Sequence, residues 1–187
     1  MDEIESLYKK ENGTILIEIK LSTVEQLFNS FDPAPFHEKE LDSPAEDYIV
    51  NIVDDFPPKT EFRIIIFLPP ELVDSADAGK IVPAIHNHFR YKMLEADLQF
   101  RSRFRFGRSA MLIGLGFLAV ALCFRFMIAA YSTDLVAQLL ADSLLIIGWA
   151  AMWEPVTVLL YQLWPIHKRK KIYEKISTMA IEIRAAG

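Results

Sequence analysis

The sequence predicts an α+β protein: a small cytoplasmic domain of order β-α-α-β-α, then a two-helix transmembrane hairpin, then a short basic C-terminal helix. Three observations predict this class. Two long segments near the C-terminus are almost free of charge, basic residues flank them on both sides, and the N-terminal half contains two strand patterns with helix starts between them. We expect four parts: a soluble α+β domain (1–76), a juxtamembrane helix (77–108), the hairpin (109–166) and a cytoplasmic tail helix (167–187).

The hairpin is predicted from two segments that are long enough to cross a bilayer, for which a helix needs about 20 residues. The first covers residues 109–131 and the second residues 143–166. Residues 135–142 either lie at the outer interface or extend the second helix. A hairpin buried inside a soluble protein is the alternative interpretation, and the two long spans with their basic flanks favour the membrane.

Basic residues flank both spans, whereas the connection between them (Ser132-Thr133-Asp134) contains none. Since cytoplasmic loops carry the excess of Lys and Arg, both termini are predicted to be cytoplasmic. The residues expected at the lipid interface are Arg101, Arg103, Arg105, Arg108, Trp164, Lys168, Arg169, Lys170 and Lys171. We interpret them as an interfacial anchor, with a specific site for anionic lipid as the alternative.

The charge is divided unequally along the chain. Residues 1–80 contain 18 acidic and 7 basic residues, a net charge of −11, and the remainder carries +6. The acidic half argues against binding to nucleic acid, which needs a basic surface on the folded domain. Cys123 is the only cysteine, so an intramolecular disulfide is excluded. The acidic N-terminus lacks the apolar core of a secretory signal, and we expect the domain to stay in the cytoplasm.

Two strands are predicted in the soluble half, over residues 14–21 (TILIEIKL) and 61–68 (EFRIIIFL). The first alternates apolar and polar residues, and the second is apolar on both faces. A sheet of two strands is marginal on its own. Either helices cover it well or its edges pair with another chain, and self-association is therefore a hypothesis.

Helix starts are predicted from capping patterns. Ser22-Thr23-Val24-Glu25 reads as a capping box that opens a helix to about Asn29. Ser43 is expected as the N-cap of a second helix, with Pro44 at N1 and Glu46 at N3. The prolines of residues 32–36 predict an extended segment between the two helices. A long helix is expected from about residue 77 to 108, continuing directly into the first span.

Glu154 carries the sharpest physical signal because it lies near the middle of the second span and precedes Pro155. An ionised carboxylate at that depth costs about 3 kcal/mol by insertion scales. Pro155 leaves a carbonyl one turn earlier without its donor, and a protonated Glu154 side chain donating to such a carbonyl is the structural interpretation. An ion or proton site, or a polar contact between helices, is the functional one.

Arg125 and Asp142 are both expected near the outer end of the hairpin. A pairing between them would relieve two exposed charges, and a gating role is the alternative. Ala110, Gly114 and Gly148 are interpreted as points of close helix packing.

No known catalytic or cofactor-binding pattern is present in the sequence, and no cofactor is expected. His86 and His88 are two residues apart on a predicted helix, so they point in different directions and form a poor chelating pair. A combination with His37 and Glu38 is not supported by their spacing. The acidic stretch of residues 36–47 is either a binding surface or a solvated loop and helix start.

Two stretches, LFNSFDPAPFHEKELDSPAEDYIV (27–50) and IGWAAMWEPVTVLLYQLWPI (147–166), resemble a family of small bacterial membrane proteins of unknown function. The resemblance implies an N-terminal domain, two membrane helices and a basic tail in the bacterial inner membrane. It implies no activity and no catalytic residue.

These features favour a non-enzymatic, membrane-anchored interaction protein: a scaffold, or an accessory subunit of a larger inner-membrane assembly. Its expected partners are membrane lipids, other copies of the chain or a larger membrane complex. A small homo-oligomeric channel or transporter with Glu154 along its path is the alternative. A membrane-tethered enzyme using carboxylates or histidines of the soluble domain ranks behind both.

Overall fold

A four-stranded sheet and two long helical segments form the mixed α+β fold of the chain. The computed structural model describes residues 7–32, 39–75, 77–131 and 134–186. The strands are β1 (Lys10–Glu11), β2 (Thr14–Lys20), β3 (Phe62–Leu68) and β4 (Ala180–Ala185). They lie in the order β1-β2-β3-β4.

The helices account for most of the remaining described residues. They are α1 (Ser43–Asp54), α2 (Pro70–Val73), α3 (Ala78–Tyr131), α4 (Leu135–Ala151), α5 (Trp153–Thr157) and α6 (Leu163–Ile176). A short 3₁₀ helix covers Val24–Leu27, and a π-helical turn covers Val158–Gln162 between α5 and α6.

Two compact units divide the chain. The sheet unit consists of the described parts of Met1–Glu95 and Arg169–Gly187, and the hairpin unit of those of Ala96–Lys168. Helix α3 contributes residues to both units, and so does α6.

The sheet combines one antiparallel pair with two parallel pairs. β1 and β2 form a hairpin through Asn12 and Gly13, whose φ angles of 53° and 84° suit a two-residue turn with both residues left-handed. β2 pairs with β3, and β3 with β4, in parallel. Parallel neighbours need a crossover connection. The crossover from β2 to β3 contains α1, and the one from β3 to β4 contains the entire hairpin unit.

Strand β3 is buried on both faces of the sheet, since Ile64 and Ile65 are each fully buried, and one of these faces carries an isoleucine from each of three strands. Ile17 of β2 pairs in register with Ile64 of β3, which pairs with Ile181 of β4. Ile17 and Ile64 are fully buried, as are the helix residues Ile49, Ile81, Ile85, Phe89 and Ile176. Each such side chain contributes about 1.5–3 kcal/mol by leaving water, so this face holds the strands and helices together.

Both helix starts differ from the sequence prediction. Ser43 is the first residue of α1 rather than its N-cap, Asp42 takes the cap position without a side-chain bond, and Glu46 turns toward α3 instead of the helix start. After Ser22, only the 3₁₀ helix forms, because Leu27 and Phe28 are buried and Phe28 is extended and bridges to Leu41. Ser22 N–H is bound by the Gln26 side chain at 2.8 Å.

The predicted β-α-α-β-α order with a C-terminal helix is wrong at both ends. β1 was missed, although Asn12-Gly13 is a hairpin signal. The tail is helical only to Ile176, and β4 follows because its apolar residues Ile181 and Ile183 continue the buried face and its backbone pairs with β3. The chain itself therefore supplies four strands, so a two-stranded sheet no longer argues for a partner. The predicted extended segment falls mostly in residues 33–38, outside the described residues.

Candidate functional site

Small residues seven positions apart form the contact between the helices of the hairpin unit. They are buried, and they are Gly107, Gly114 and Ala121 of α3 with Ala141 and Gly148 of α4 and Pro155 of α5. A seven-residue repeat keeps one seam of each helix facing its partner. The hairpin is therefore held together by a narrow seam, and its larger side chains are left outside.

Glycine is required where the helices come closest. A Cβ atom on Gly114 would lie 2.8 Å from the Met152 sulfur, and one on Gly148 would lie 3.2 Å from the Leu118 side chain. The packing role predicted for both glycines is confirmed. Ala110 is half-buried and lies beside the seam.

The outward surface of the hairpin unit is apolar. In the most hydrophobic window of each of the two long helical segments, Ala78–Tyr131 and Leu135–Ile176, 11% is buried. Core helices of soluble proteins are mostly buried, and these are not. Both segments are long and apolar enough to span a membrane, which supports a membrane location.

Glu154 lies in a groove of about 400 Å³ on this surface. The lining is otherwise apolar and consists of Phe106, Ala110, Ile113, Gly114, Phe117, Ile147, Ala151 and Pro155. Within the described residues, the Glu154 side chain is exposed and makes no hydrogen bond or ion pair. The side chain does not donate to the carbonyl that Pro155 leaves without a donor. The hydrogen bond expected from the structural interpretation of Glu154 is therefore not present.

The helix is irregular around Glu154. α4 ends at Ala151, a turn at Met152 separates it from α5, and the π-helical turn follows one helical turn later. Pro155 lacks the N–H that would bond to the preceding turn, and Thr157 Oγ1 donates to the Trp153 carbonyl at 2.9 Å. π-Helical turns occur frequently at functional sites.

Arg125 and Asp142 form the predicted pair, with Arg125 Nε 2.9 Å from Asp142 Oδ1. Both side chains are about half exposed. Because Asp142 lies inside α4, residues 135–142 extend the second helix, which was one of the two predicted alternatives.

The basic residues predicted at the lipid interface lie on α3 and α6. Arg101 binds Asp97 at 2.7 Å, and Arg103 donates to Gln162 at 3.4 Å. Trp164 is exposed. Helix α3 also carries Arg105 and Arg108, and α6 carries Lys168. The next residues of α6, which belong to the sheet unit, are Arg169, Lys170 and Lys171. Contact with lipid remains a prediction for all of them.

A buried polar cluster in the sheet unit was missed by sequence reasoning. His88 of α3 is 1% exposed, accepts a hydrogen bond from Leu41 N–H at Nδ1 (3.2 Å) and contacts Glu46 Oε2 through Nε2 (3.0 Å). Because Nδ1 accepts, the ring proton lies on Nε2 and is donated to Glu46. The side chains of Lys92 and Tyr173 reach the same carboxylate at 3.4 Å. These residues are far apart in sequence, so spacing carried no signal.

The contacts in the cluster shift the pKa values of Glu46 and Lys92. Burial raises the pKa of Glu46, but the hydrogen bond from His88 and the charge of Lys92 outweigh it and leave the pKa below its ordinary value. Burial likewise opposes the charged form of Lys92, and Glu46 more than compensates, so the Lys92 pKa is raised. The cluster joins α1, α3 and α6 through one satisfied carboxylate.

A second charged group joins the outer strands of the sheet. Arg184 of β4 binds both carboxylate oxygens of Glu11 of β1 at 3.0 and 3.1 Å, and it also binds Glu182. The hydrogen bond from Arg184, with its charge, lowers the pKa of Glu11 and of Glu182. The arrangement fixes β4 beside the rest of the sheet.

Neither charged group resembles a metal centre, and no cluster of three or more potential metal ligands occurs among the residues that the structure describes. His86 instead contacts the Met179 carbonyl at 2.9 Å, in a different direction from His88. His37 and Glu38 lie outside the described residues.

Comparison with family models, curated proteins and solved structures returned no match. The family resemblance drawn from residues 27–50 and 147–166 therefore stays a prediction.

Proposed function

We propose that the chain is a two-span, membrane-anchored interaction protein of the bacterial inner membrane, with both termini in the cytoplasm. It acts as a scaffold or accessory subunit, not as an enzyme. The single observation that carries this proposal is the apolar surface of the hairpin unit, with a glutamate in one of its grooves that has no partner among the described residues.

The exposed apolar surface supports insertion in lipid. Leu112, Ile113 and Phe126 are 66%, 73% and 81% exposed, and similar side chains surround the whole hairpin unit. Soluble monomers expose contiguous apolar patches of only about 300–600 Å². Hydrocarbon solvates such side chains without cost, whereas water does not.

The sheet supports an even number of crossings. β3 precedes the hairpin, β4 follows it, and the two strands pair directly. This pairing supports two crossings, because two crossings return the chain to the side of the bilayer on which β3 lies. The basic residues of both flanks favour the cytoplasmic side.

Carbonate washing and sucrose flotation of bacterial membranes test the anchor. We expect the full-length chain to float with the membranes after the wash. Attached N- and C-terminal fluorescent reporters that mature only in the cytoplasm should both be fluorescent. Recovery of the folded chain in the aqueous fraction without detergent would contradict the proposal.

Extraction in a mild detergent tests the interaction role. A scaffold or accessory subunit should be recovered in a complex larger than its monomer mass of 21.4 kDa plus the detergent. Repeated recovery of the chain alone and monomeric would refute this role and leave the anchor standing.

A homo-oligomeric channel or transporter is the second candidate, and the exposed Glu154 in its apolar groove favours it. Two helices cannot enclose a pore, so several copies must assemble for conduction. Reconstituted liposomes should then show ion flux that depends on pH and is lost in Glu154→Leu. Absence of flux over a range of pH and voltage would exclude this candidate.

A further inference from the structure

We infer that the groove around Glu154 binds a second copy of this chain, through the Trp153 side chain of that copy. The inference rests on the membrane anchoring proposed above and specifies the partner of the same surface. It follows from three properties of the groove and its surroundings. They are a carboxyl group without a partner among the described residues, a lining that contains small residues, and the depth at which the complementary group lies.

The carboxyl group needs a hydrogen-bond partner from another molecule. Glu154 has none among the described residues, and lipid chains offer neither donors nor acceptors. Polar side chains inside membranes face protein or water for this reason. A donor supplied by a neighbouring helix satisfies the group.

The shape of the groove suits a large flat side chain. Ala110, Gly114 and Ala151 contribute small side chains to its lining, and Phe106 and Phe117 contribute aromatic ones. The volume of about 400 Å³ has room for an aromatic side chain. Small residues admit close approach of a neighbouring helix, which drives association where the hydrophobic effect is absent.

The depth of Glu154 in the membrane indicates which residue of the second copy enters the groove. In a closed assembly whose axis follows the membrane normal, every copy has the same orientation, so a residue contacts residues of its own depth. Trp153 adjoins Glu154 in the chain, is 78% exposed and does not line its own groove. Its indole N–H has no partner among the described residues. It is therefore a free donor on a bulky apolar side chain at the required depth.

The contact between the helices shows which residue of α3 lies at the same depth as Trp153. Gly114 lies against Met152 and Ala151, so Ile113 is close in depth to Trp153. Ile113 lines the groove and is 73% exposed. A cysteine at residue 113 of one copy should therefore meet a cysteine at residue 153 of another.

Disulfide crosslinking between two differently tagged chains tests the contact, and the single native cysteine makes it simple. Both chains carry Cys123→Ala; one adds Ile113→Cys and the other Trp153→Cys. Oxidation in isolated membranes should give a mixed dimer carrying both tags, which an intrachain bond cannot produce. Pairing Ile113→Cys with Trp164→Cys is the matched control, since Trp164 is similarly exposed at a different depth. We expect at least tenfold less mixed dimer in the control.

Two substitutions of Glu154 test the hydrogen bond. In chains that keep Trp153, Glu154→Gln keeps a side-chain acceptor and should retain most of the self-association, measured as energy transfer between two labelled copies in vesicles. Glu154→Leu should lower the association constant about threefold to tenfold. Equal yields for the 113–153 pair and the control pair would overturn the inference, as would labelling of residue 113 by a photoactivatable lipid with no mixed dimer.

The same membranes are washed with carbonate and floated before crosslinking. If the chains leave the membrane, the proposed anchor fails. If they stay in the membrane without mixed dimer, only the inferred contact fails.

Discussion

The exposed fractions of two isoleucine side chains show that the two units of this chain place apolar residues differently. Ile64 of the sheet unit is completely buried, whereas Ile113 of the hairpin unit is 73% exposed. The sheet unit follows the rule of water-soluble proteins, with apolar residues inside and charged residues outside. The hairpin unit has small residues inside and large apolar residues outside. The difference supports the proposal that one chain is built for two solvents, water and lipid, and each prediction below tests this contrast.

The largest expected effect is the loss of buried apolar volume in the sheet unit. Ile64→Ala should destabilise that unit by about 2–5 kcal/mol, because it leaves a cavity as well as removing transferred methylenes. Ile113→Ala should leave the stability of a single chain nearly unchanged, since its side chain contacts little protein. Urea unfolding of the detergent-solubilised chain measures both. Circular dichroism follows the sheet unit, and tryptophan fluorescence follows the hairpin unit, which contains all three tryptophans. Equal losses in the two variants would mean that the exposed surface of the hairpin unit is covered within one molecule.

Two glutamates provide the next comparison, because Glu46 is satisfied and Glu154 is not. Glu46→Ala leaves the His88 Nε2–H and the Lys92 ammonium without their acceptor, which should cost about 1–3 kcal/mol in the sheet unit. Glu154→Ala should cost a single chain nothing, because no described residue bonds to that side chain. The same unfolding measurement applies. A destabilisation by Glu154→Ala in the monomer would show that this carboxyl group has a partner within the chain.

Glu46 also predicts an acid sensitivity confined to the sheet unit. Its pKa is lower in the folded state than its ordinary value of 4.5. The stabilisation is therefore fully present above pH 4.5 and is lost as the pH falls through the folded value. Stability measured from neutral pH downward should fall less steeply in Glu46→Gln than in the unmodified chain. A steeper fall in Glu46→Gln would contradict the assignment.

The seam of the hairpin unit predicts a smaller effect at one of two neighbouring glycines. Gly114→Ala should weaken the packing of the hairpin by about 1 kcal/mol, because the added methyl group would meet the Met152 sulfur at 2.8 Å. Gly116 is the matched control, since nothing lies within 4 Å of a methyl group there. Reversible unfolding in mixed micelles with increasing dodecyl sulfate measures both. Equal destabilisation by the two substitutions would place the contact elsewhere on α3.

The Arg125–Asp142 pair should contribute least. Because both side chains are about half exposed, a double-mutant cycle with Arg125→Ala and Asp142→Ala should give a coupling of about 0.2–1 kcal/mol. The same micelle unfolding supplies the four free energies. The exchanged pair Arg125→Asp with Asp142→Arg should recover part of the loss. A coupling of several kcal/mol would instead indicate that the two charges are shielded from water.

The local signals of the sequence were sufficient for some elements. Alternation and apolar runs located β2 and β3 to within a residue, and the continuous apolar pattern located α3 and its passage into the hairpin. Gly114 and Gly148 were recognised as points of close packing because small residues permit close approach of helices, whereas Gly107 was not recognised. Complementary charges also indicated the pairing of Arg125 with Asp142.

The remaining features depend on contacts between distant residues. β4 becomes a strand because β3 offers it an edge and Ile64 and Ile66 offer it an apolar face, and the basic residues before it suggested a helix instead. The Glu46–His88 cluster brings together residues 42 positions apart. Glu46 fits a capping position in the local sequence, and only the fold reveals that α3 presents a better donor.

The pairing of β3 with β4 has a consequence for biogenesis. The ribosome releases β3 before the hairpin and β4 after it. In the proposed topology, the edge of β3 that pairs with β4 therefore stays unpaired while the two apolar helices are inserted. In the proposed topology, a chain that inserts only one of them delivers β4 to the periplasmic side and cannot complete its sheet. In such a chain, the edge of β3 stays unpaired and is accessible to chaperones and proteases. In that topology, completion of the sheet would therefore distinguish fully inserted molecules from those with one helix outside the membrane.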